Sequence, residues 1–401
     1  MELNKEFFDW IEKHKNDDPA KLRLKMHGKL IAGIDASVAI LQIECRRKYA
    51  SKFAHTLAMD PYFYFPGKIN AEQATSDRLA QYHRSLAVGC PRVADLTSGL
   101  GIDIMHLAAD CSAALAIEKQ PDVADALKFN AENSGISNME VLCADCCGWL
   151  SEAPADAYDC LFIDPARRAT DGSRVFALAD CMPDITTMQT RMLEVAPRFI
   201  AKLSPMLDIS HIAGEINSVC RIISLGTTTE CKELLVVASR GFKGEPQIEA
   251  VTLTSDNQQS TISFKVADEL GAKVTYGMPQ PGEFIFEPWP SVMKAAPVRL
   301  LAELYNLKKV APNTHMYFST TNDAAVNGFP GNCMRIIDVL PYSSSVIKRF
   351  ARHWPKASVT ARNFGVAADA VSRKLGVRDG GDVRVFAVSD AQNQRYLIVA
   401  S

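Results

Sequence analysis

The chain has 401 residues, too many for one ordinary domain, so two or three are expected. Its 47% hydrophobic and 22% charged residues are globular in balance, and the absence of any run of eighteen apolar residues argues against a membrane span. Eleven cysteines, an odd number, together with a start (Met1-Glu2-Leu3-Asn4-Lys5-Glu6) unlike a signal peptide, predict reduced thiols in a cytoplasmic protein.

The formal net charge of −2 hides an asymmetry along the chain. Residues 1–70 hold 12 Lys+Arg against 9 Asp+Glu, residues 71–240 hold 14 against 23, and residues 341–401 hold 10 against 4. An acidic body with a basic end piece suits a protein that displaces counterions from a polyanion, although a solvated basic surface has the same composition.

Residues 1 to about 56 read as helices, with Pro19 in a first turn and Ile34, Val38, Leu41 and Cys45 at helical spacing. Met59 to Lys68 is an aromatic loop punctuated by proline and glycine, and Glu72-Gln73-Ala74-Thr75-Ser76 opens a helix running to Leu86. Then comes the stretch around which the rest is organised, Val93-Ala94-Asp95-Leu96-Thr97-Ser98-Gly99-Leu100-Gly101-Ile102-Asp103, followed by Ala113 to Ile117 ending in Glu118. This is a strand, a glycine turn, a helix from about Ile102, and a second parallel strand tipped by an acid, the pattern of a nucleotide-binding crossover.

The spacing narrows the ligand. The third glycine of a dinucleotide fingerprint is missing, Asp103 would repel a pyrophosphate, and no Gly-Lys-Ser/Thr is present for a triphosphate. A ligand without phosphate is expected, and S-adenosylmethionine, with a ribose, an adenine and a sulfonium cation, satisfies that. Glu118 would accept hydrogen bonds from the ribose hydroxyls. On these residues the chain resembles the class I S-adenosylmethionine-dependent methyltransferases. The resemblance implies cofactor contacts from Asp95, Thr97, Gly99, Gly101 and Glu118, from Asp145 at the tip of the strand Met139–Cys143, and from Gln73, Thr75 and Ser76 in the segment before the first strand.

Tyr158 to Ile163 is the fourth strand and delivers Asp164-Pro165-Ala166-Arg167-Arg168, the expected reaction site, because open α/β sheets place chemistry at the carboxyl ends of their strands. Asp164 and the Pro165-Ala166 backbone would orient the nucleophile, with Arg167 beside them and Arg168 holding an anionic group of the substrate. Amino-group methyltransferases of bases carry Asp or Asn followed by Pro-Pro-aromatic here; Ala166 and Arg167 depart from that. The fifth strand from Arg198 runs into Lys202-Leu203-Ser204-Pro205-Met206, where Lys202 and Ser204 are candidate substrate contacts. Carbon-5 pyrimidine enzymes place a nucleophilic cysteine after this strand, and Ser204 and Met206 argue against that chemistry. Cys143-x-x-Cys146 has no second ligand pair at metal spacing, so no metal is expected.

Val219–Ser224 and Glu233–Ser239 give the last two strands of this body, expected as an antiparallel pair. From Gly241 the pattern becomes that of small α+β domains: strands at Ile248–Leu253, Thr261–Val266 and near Phe284–Pro288, a helix Ser291–Tyr305, then a basic piece with helices Ser344–His353 and Ala367–Leu375 and strands Ala357–Thr360, Val383–Val388 and Arg395–Ala400. The layout resembles a bacterial methyltransferase family with Asp-Pro-Ala-Arg-Arg in its catalytic domain, a ferredoxin-like domain and a C-terminal THUMP-like domain. The resemblance rests on Glu72–Ser76, Asp95–Asp103, Asp164–Arg168, Lys202–Asp208, Phe329-Pro330-Gly331, Arg362-Asn363-Phe364 and Asp379–Asp382. It implies an N-terminal helical region (1–70), a Rossmann-like seven-stranded α/β methyltransferase domain (71–240), a ferredoxin-like α+β domain (241–340) and a THUMP-like basic domain (341–401). It further implies structured RNA, tRNA or rRNA, as substrate, with Lys348, Arg349, Arg352, Lys356, Arg362, Arg373 and Lys374 on phosphates and Phe364 or Trp354 available to stack on a base. Methylation of a protein or small molecule, or an RNA-binding module without catalysis, are the alternative readings.

Overall fold

The computed structural model describes residues 3–167, 178–256 and 258–401, with only the backbone of Arg167. Two compact units emerge: Met1–Leu203 with Ser210–Val219 and Val236–Lys243, and Ser204–Ile209 with Cys220–Leu235 and Gly244–Ser401. Among the described residues no helix is long and apolar enough to cross a membrane.

The first unit is built on five parallel strands: β1 (Arg92–Asp95), β2 (Ala113–Glu118), β3 (Met139–Cys143), β4 (Cys160–Ile163) and β5 (Arg198–Leu203). Their spatial order is β5-β4-β1-β2-β3, with Asp95 level with Phe162 of β4 and Ala116 of β2. Ala114 to Ile117 and Cys160 to Ile163 are each at most 5% exposed, which is why these strands read as continuous apolar runs instead of alternating ones. The strand order reverses beside β1, so the tips of β1 and β4 flank the crevice where such sheets hold ligands. Helix Ile102–Ala108 leaves the glycine turn after β1, and helix Pro121–Asn133, with proline in its first turn, leaves β2.

Ahead of the sheet, helices Lys5–His14, Pro19–Met26 and Ala36–Lys48 close over an apolar core of Phe7, Phe8, Ile11, Ile40 and Ile43. The aromatic loop buries Phe63 and Phe65 completely. Its backbone has no sheet partner there, and two buried amides supply one. Gln42 accepts from the Phe65 N–H at 2.9 Å and donates to its carbonyl at 2.8 Å, while Asn130 does the same for Tyr64 at 2.7 and 3.0 Å. The single helix expected from Glu72 to Leu86 is instead two, Lys68–Gln73 and Asp77–Leu86, because Ser76 caps the second by accepting from the Leu79 N–H and the break turns Thr75 inward.

In the second unit, the strand Val219–Thr227 pairs in parallel with Gln247–Leu253, which pairs antiparallel with Gln259–Phe264. An eight-stranded sheet follows, in the order 275–276, Lys308–Ala311, Thr314–Ser319, Phe284–Pro288, Gly331–Pro341, Arg395–Ala400, Arg384–Ser389, Ser358–Arg362. Helix Ser344–His353 has its expected bounds, capped by Ser343, and Ala368–Leu375 packs beside it over Phe350, Val371 and Leu375. The helix expected over Ser291–Tyr305 divides into Pro290–Ala295 and Leu300–Leu304, since Ala296 turns left-handed at a φ of 60° ahead of Pro297.

Candidate functional site

The glycine turn is closed by its own backbone and by the two strand-tip acids. Asp95 Oδ1 accepts from the Thr97 N–H at 3.0 Å, and Gly101 N–H donates to the Ser98 carbonyl at 2.7 Å. Glu118 Oε2 accepts from the Gly99 N–H at 3.0 Å and its Oε1 from the Gln120 N–H at 2.8 Å. Each oxygen of an ionised carboxylate has two lone-pair sites, so both retain acceptor capacity for a hydroxyl. Gly99 and Gly101 both have positive φ, 53° and 81°. A Cβ on Gly101 would strike Leu127 at 2.0 Å, whereas one on Gly99 would meet no protein atom within 4 Å. Gly101 is required by packing, and Gly99 faces open space.

Across the crevice, the Thr97 hydroxyl accepts from the backbone N–H of Asp164 at 2.7 Å, which ties the turn after β4 to the turn after β1. The Asp164 carboxylate accepts from Lys202 Nζ at 2.6 Å, and the same ammonium donates to the Thr75 hydroxyl at 3.0 Å. Thr75 donates onward to Asp103 Oδ2 at 2.5 Å, and Asp103 Oδ1 lies 2.7 Å from Nδ1 of His83, a ring with no exposure. Burial alone would raise the Asp103 carboxyl, but His83, Lys202 and the Thr75 hydroxyl hold it down to about 2. Asp95 is pushed well above the usual carboxylate range by burial and by the neighbouring charges of Asp103 and Asp164, against the Thr97 hydrogen bond and Lys202. Asp103 and His83 were not anticipated as site residues; Asp103 figures in the sequence pattern only as an acid that repels phosphate.

Asp145 is exposed and caps the helix Cys146–Glu152, its Oδ1 accepting from the Cys147 and Gly148 N–H groups at 2.9 and 3.1 Å. Gln73 ends its helix with an exposed side chain. Pro165 is buried and Ala166 exposed; Ala166 and Arg167 pair with Cys181 and Met182 through a two-residue ribbon. Arg168 and the side chain of Arg167 lie outside the described residues. Burial, with Cys147 and Asp145 adjacent, pushes the Cys146 thiol up to about 12, which leaves little thiolate on that sulfur. Two clefts, of about 420 Å³ beside Gln189 and Arg240 and about 470 Å³ beside Lys48 and Lys68, are lined by none of these strand-tip residues, and polar convergence, not cavity size, marks the site.

In the second unit Ser204 accepts from the Met206 N–H at 3.2 Å. Arg362 is taken by an internal pair: Glu287, 7% exposed, receives Arg362 at 3.0 Å and Arg384 at 3.1 Å. Phe364, expected to stack on a base, has a ring 3% exposed, packed edge-on against Tyr342 at 4.9 Å with the Arg395 guanidinium over it. Of the other cations expected on phosphates, Lys348, Arg349 and Arg352 on helix Ser344–His353, Arg373 and Lys374 on Ala368–Leu375, and Lys356 are exposed, as are His353 and Arg378 nearby in sequence.

Comparison with known proteins adds the domain content. Residues 284–330 match the family model of a ferredoxin-like domain and residues 331–401 that of a THUMP domain-like region. The structure of a candidate methyltransferase from Porphyromonas gingivalis W83 superposes on the whole chain with a TM-score of 0.87 at 26% identity, covering 100% of this chain and 99% of that one. Two others align over less than half of the chain: cofactor-bound Rv0187 from MTB (15% identity, 47% of this chain and 88% of that one, TM-score 0.35) and a candidate RNA methyltransferase, PH1948, from Pyrococcus horikoshii (17%, 43% and 89%, 0.30). No curated protein matches the chain.

Proposed function

We propose that this chain, which carries a methyltransferase fold together with ferredoxin-like and THUMP-like domains, transfers a methyl group from S-adenosylmethionine to a base of structured RNA. The observation that carries the proposal is the strand-tip constellation: open space at Gly99, acceptor capacity on Glu118, and the acids Asp95, Asp103 and Asp164 around one crevice. Such a site, with acceptor oxygens on Glu118 and with Asp164 and Asp103 paired to Lys202 and His83, suits an uncharged or cationic ligand bearing a ribose. Glu118 would hold the ribose hydroxyls, Asp145 the adenine amino group, and the Gly99 turn would lie against the ligand. When bound, the cofactor supplies a methyl group already activated on a sulfonium. The chain's own work is then positioning, with Asp164 accepting a hydrogen bond from the amino group of the base and holding its lone pair in line.

The RNA half of the reading rests on the basic helices. Lys348, Arg349, Arg352, Arg373 and Lys374 are exposed, and their charges suit phosphates that run past two adjacent helices. The test is incubation with methyl-labelled S-adenosylmethionine and total RNA or total protein from cells lacking the gene, followed by fractionation of the label. Label in a discrete RNA, lost on Lys348→Glu/Arg349→Glu/Arg352→Glu while cofactor affinity is kept, is the expected result. Label appearing in protein alone would refute the RNA assignment.

A further inference from the structure

Three carboxylates share one mostly buried crevice in the first unit, and like charges this close cannot all ionise without a cation among them. Among the described residues, Lys202, on β5 with a side chain 14% exposed, is a cation that acts on all three. It bonds Asp164 directly, and its field opposes the upward shift of Asp95 and helps hold Asp103 down. Its position is fixed by Thr75, whose hydroxyl accepts from Lys202 and donates to Asp103, which His83 holds from the other side. Glu118 faces the same turn from β2, and Asp77 and His106 form a neighbouring pair of their own at 3.5 Å.

We infer that Lys202 is a positioning residue: it keeps Asp164 ionised and fixes the plane of its carboxylate, and the Thr75–Asp103–His83 chain keeps Lys202 in that place. The inference rests on the reading of Asp164 as the group that orients the nucleophile. Nothing in this arrangement requires Lys202 to touch substrate. The ammonium is bonded to both Asp164 and Thr75, which holds it at the carboxylate it orients.

Three variants and two readouts test it. In the RNA methylation assay, Lys202→Met should lower kcat by at least about tenfold with little change in KM, because an aimed acceptor and not a binding contact is lost. The acid limb of its pH–rate profile should move to higher pH, since Asp164 then protonates more readily. Lys202→Arg should return that limb toward its original position. Thr75→Val, which keeps every charge and cuts only the link, should lower kcat in the same direction by a smaller factor, and it serves if Lys202→Met does not fold. The second readout is independent of turnover: in protein labelled with ¹³C at aspartate carboxyls, the resonance absent from Asp164→Asn should titrate at higher pH in Lys202→Met than in the unaltered protein. Unchanged titration of that resonance overturns the inference. If the unaltered protein methylates no RNA, the proposed function falls and the carboxyl titration alone still decides the role of Lys202.

Discussion

Gly99 and Gly101 sit two residues apart in one turn, and an alanine at each should fail for different reasons. Both positions have positive φ, a conformation that costs an L-residue about 1–2 kcal/mol. At Gly99 that is the whole folding cost, because the added methyl meets no protein atom within 4 Å. At Gly101 the methyl lies 2.0 Å from Leu127 Cδ1 and 3.2 Å from its Cγ, in a core where Leu127 is fully buried, so overpacking adds about 1–3 kcal/mol. Gly101→Ala should therefore lose roughly 2–5 kcal/mol in urea unfolding, and Gly99→Ala roughly 1–2 kcal/mol. Cofactor affinity should rank the other way once each variant is compared as folded protein. The Gly99 methyl would occupy the space beside Glu118 and weaken S-adenosylmethionine binding at least tenfold by calorimetry, about 1.4 kcal/mol. Adding Leu127→Ala should return part of the stability of Gly101→Ala and none of the affinity of Gly99→Ala. Equal unfolding losses for the two alanines would refute the packing argument, and undiminished affinity in Gly99→Ala would refute the placement of the ligand.

Two further outcomes concern stability. The Asp103 carboxyl, held down to about 2, is lower in the folded protein than in the unfolded chain, so its contribution is complete above about pH 4 and is lost as pH falls through about 2. That drop is of order 2 kcal/mol, and Asp103→Asn, less stable at neutral pH, should show a flatter acid limb in pH-dependent urea melts; an identical slope would count against the His83 and Lys202 interactions. In the second unit, Glu287→Gln leaves Arg362 and Arg384 facing each other across a neutral amide, and it should cost about 2 kcal/mol, below the loss typical of fully buried pairs because both arginines are partly exposed. Glu287→Gln/Arg362→Met should recover part of that loss, and no recovery would mean that the two arginines do not repel.

The parallel core was legible because its signals are local. Ala113 to Glu118 is one apolar run ending in an acid, Gly99 and Gly101 stand in a turn that needs positive φ, and Ser344–His353 announces itself by its cap and basic last turn. Local signals also set the errors. Ser76 and Pro297 each interrupt a stretch whose periodicity continues past them, so two helices were read as longer than they are. Arg362 and Phe364 carry the composition of a nucleic-acid surface, but Arg362 is drawn into a pair with Glu287 and Phe364 is buried against Tyr342, partners that only the sheet brings near.

The polar chain in the crevice was illegible for the same reason in stronger form. Lys202 and Thr75 are 127 positions apart, Asp164 and Lys202 are 38 apart, and the partners belong to separate strands and helices with no common period. What brings them together is strand order. Placing β4 and β5 on one side of β1 and β2 on the other puts the ends of four strands and the break before helix Asp77–Leu86 around one crevice. A motif reading finds the residues that shape the turn, because backbone geometry restricts their type. It names Lys202 only as a candidate substrate contact and not as the residue that balances the charge, since a cation could satisfy three carboxylates from several positions and only the folded sheet gives Lys202 that place.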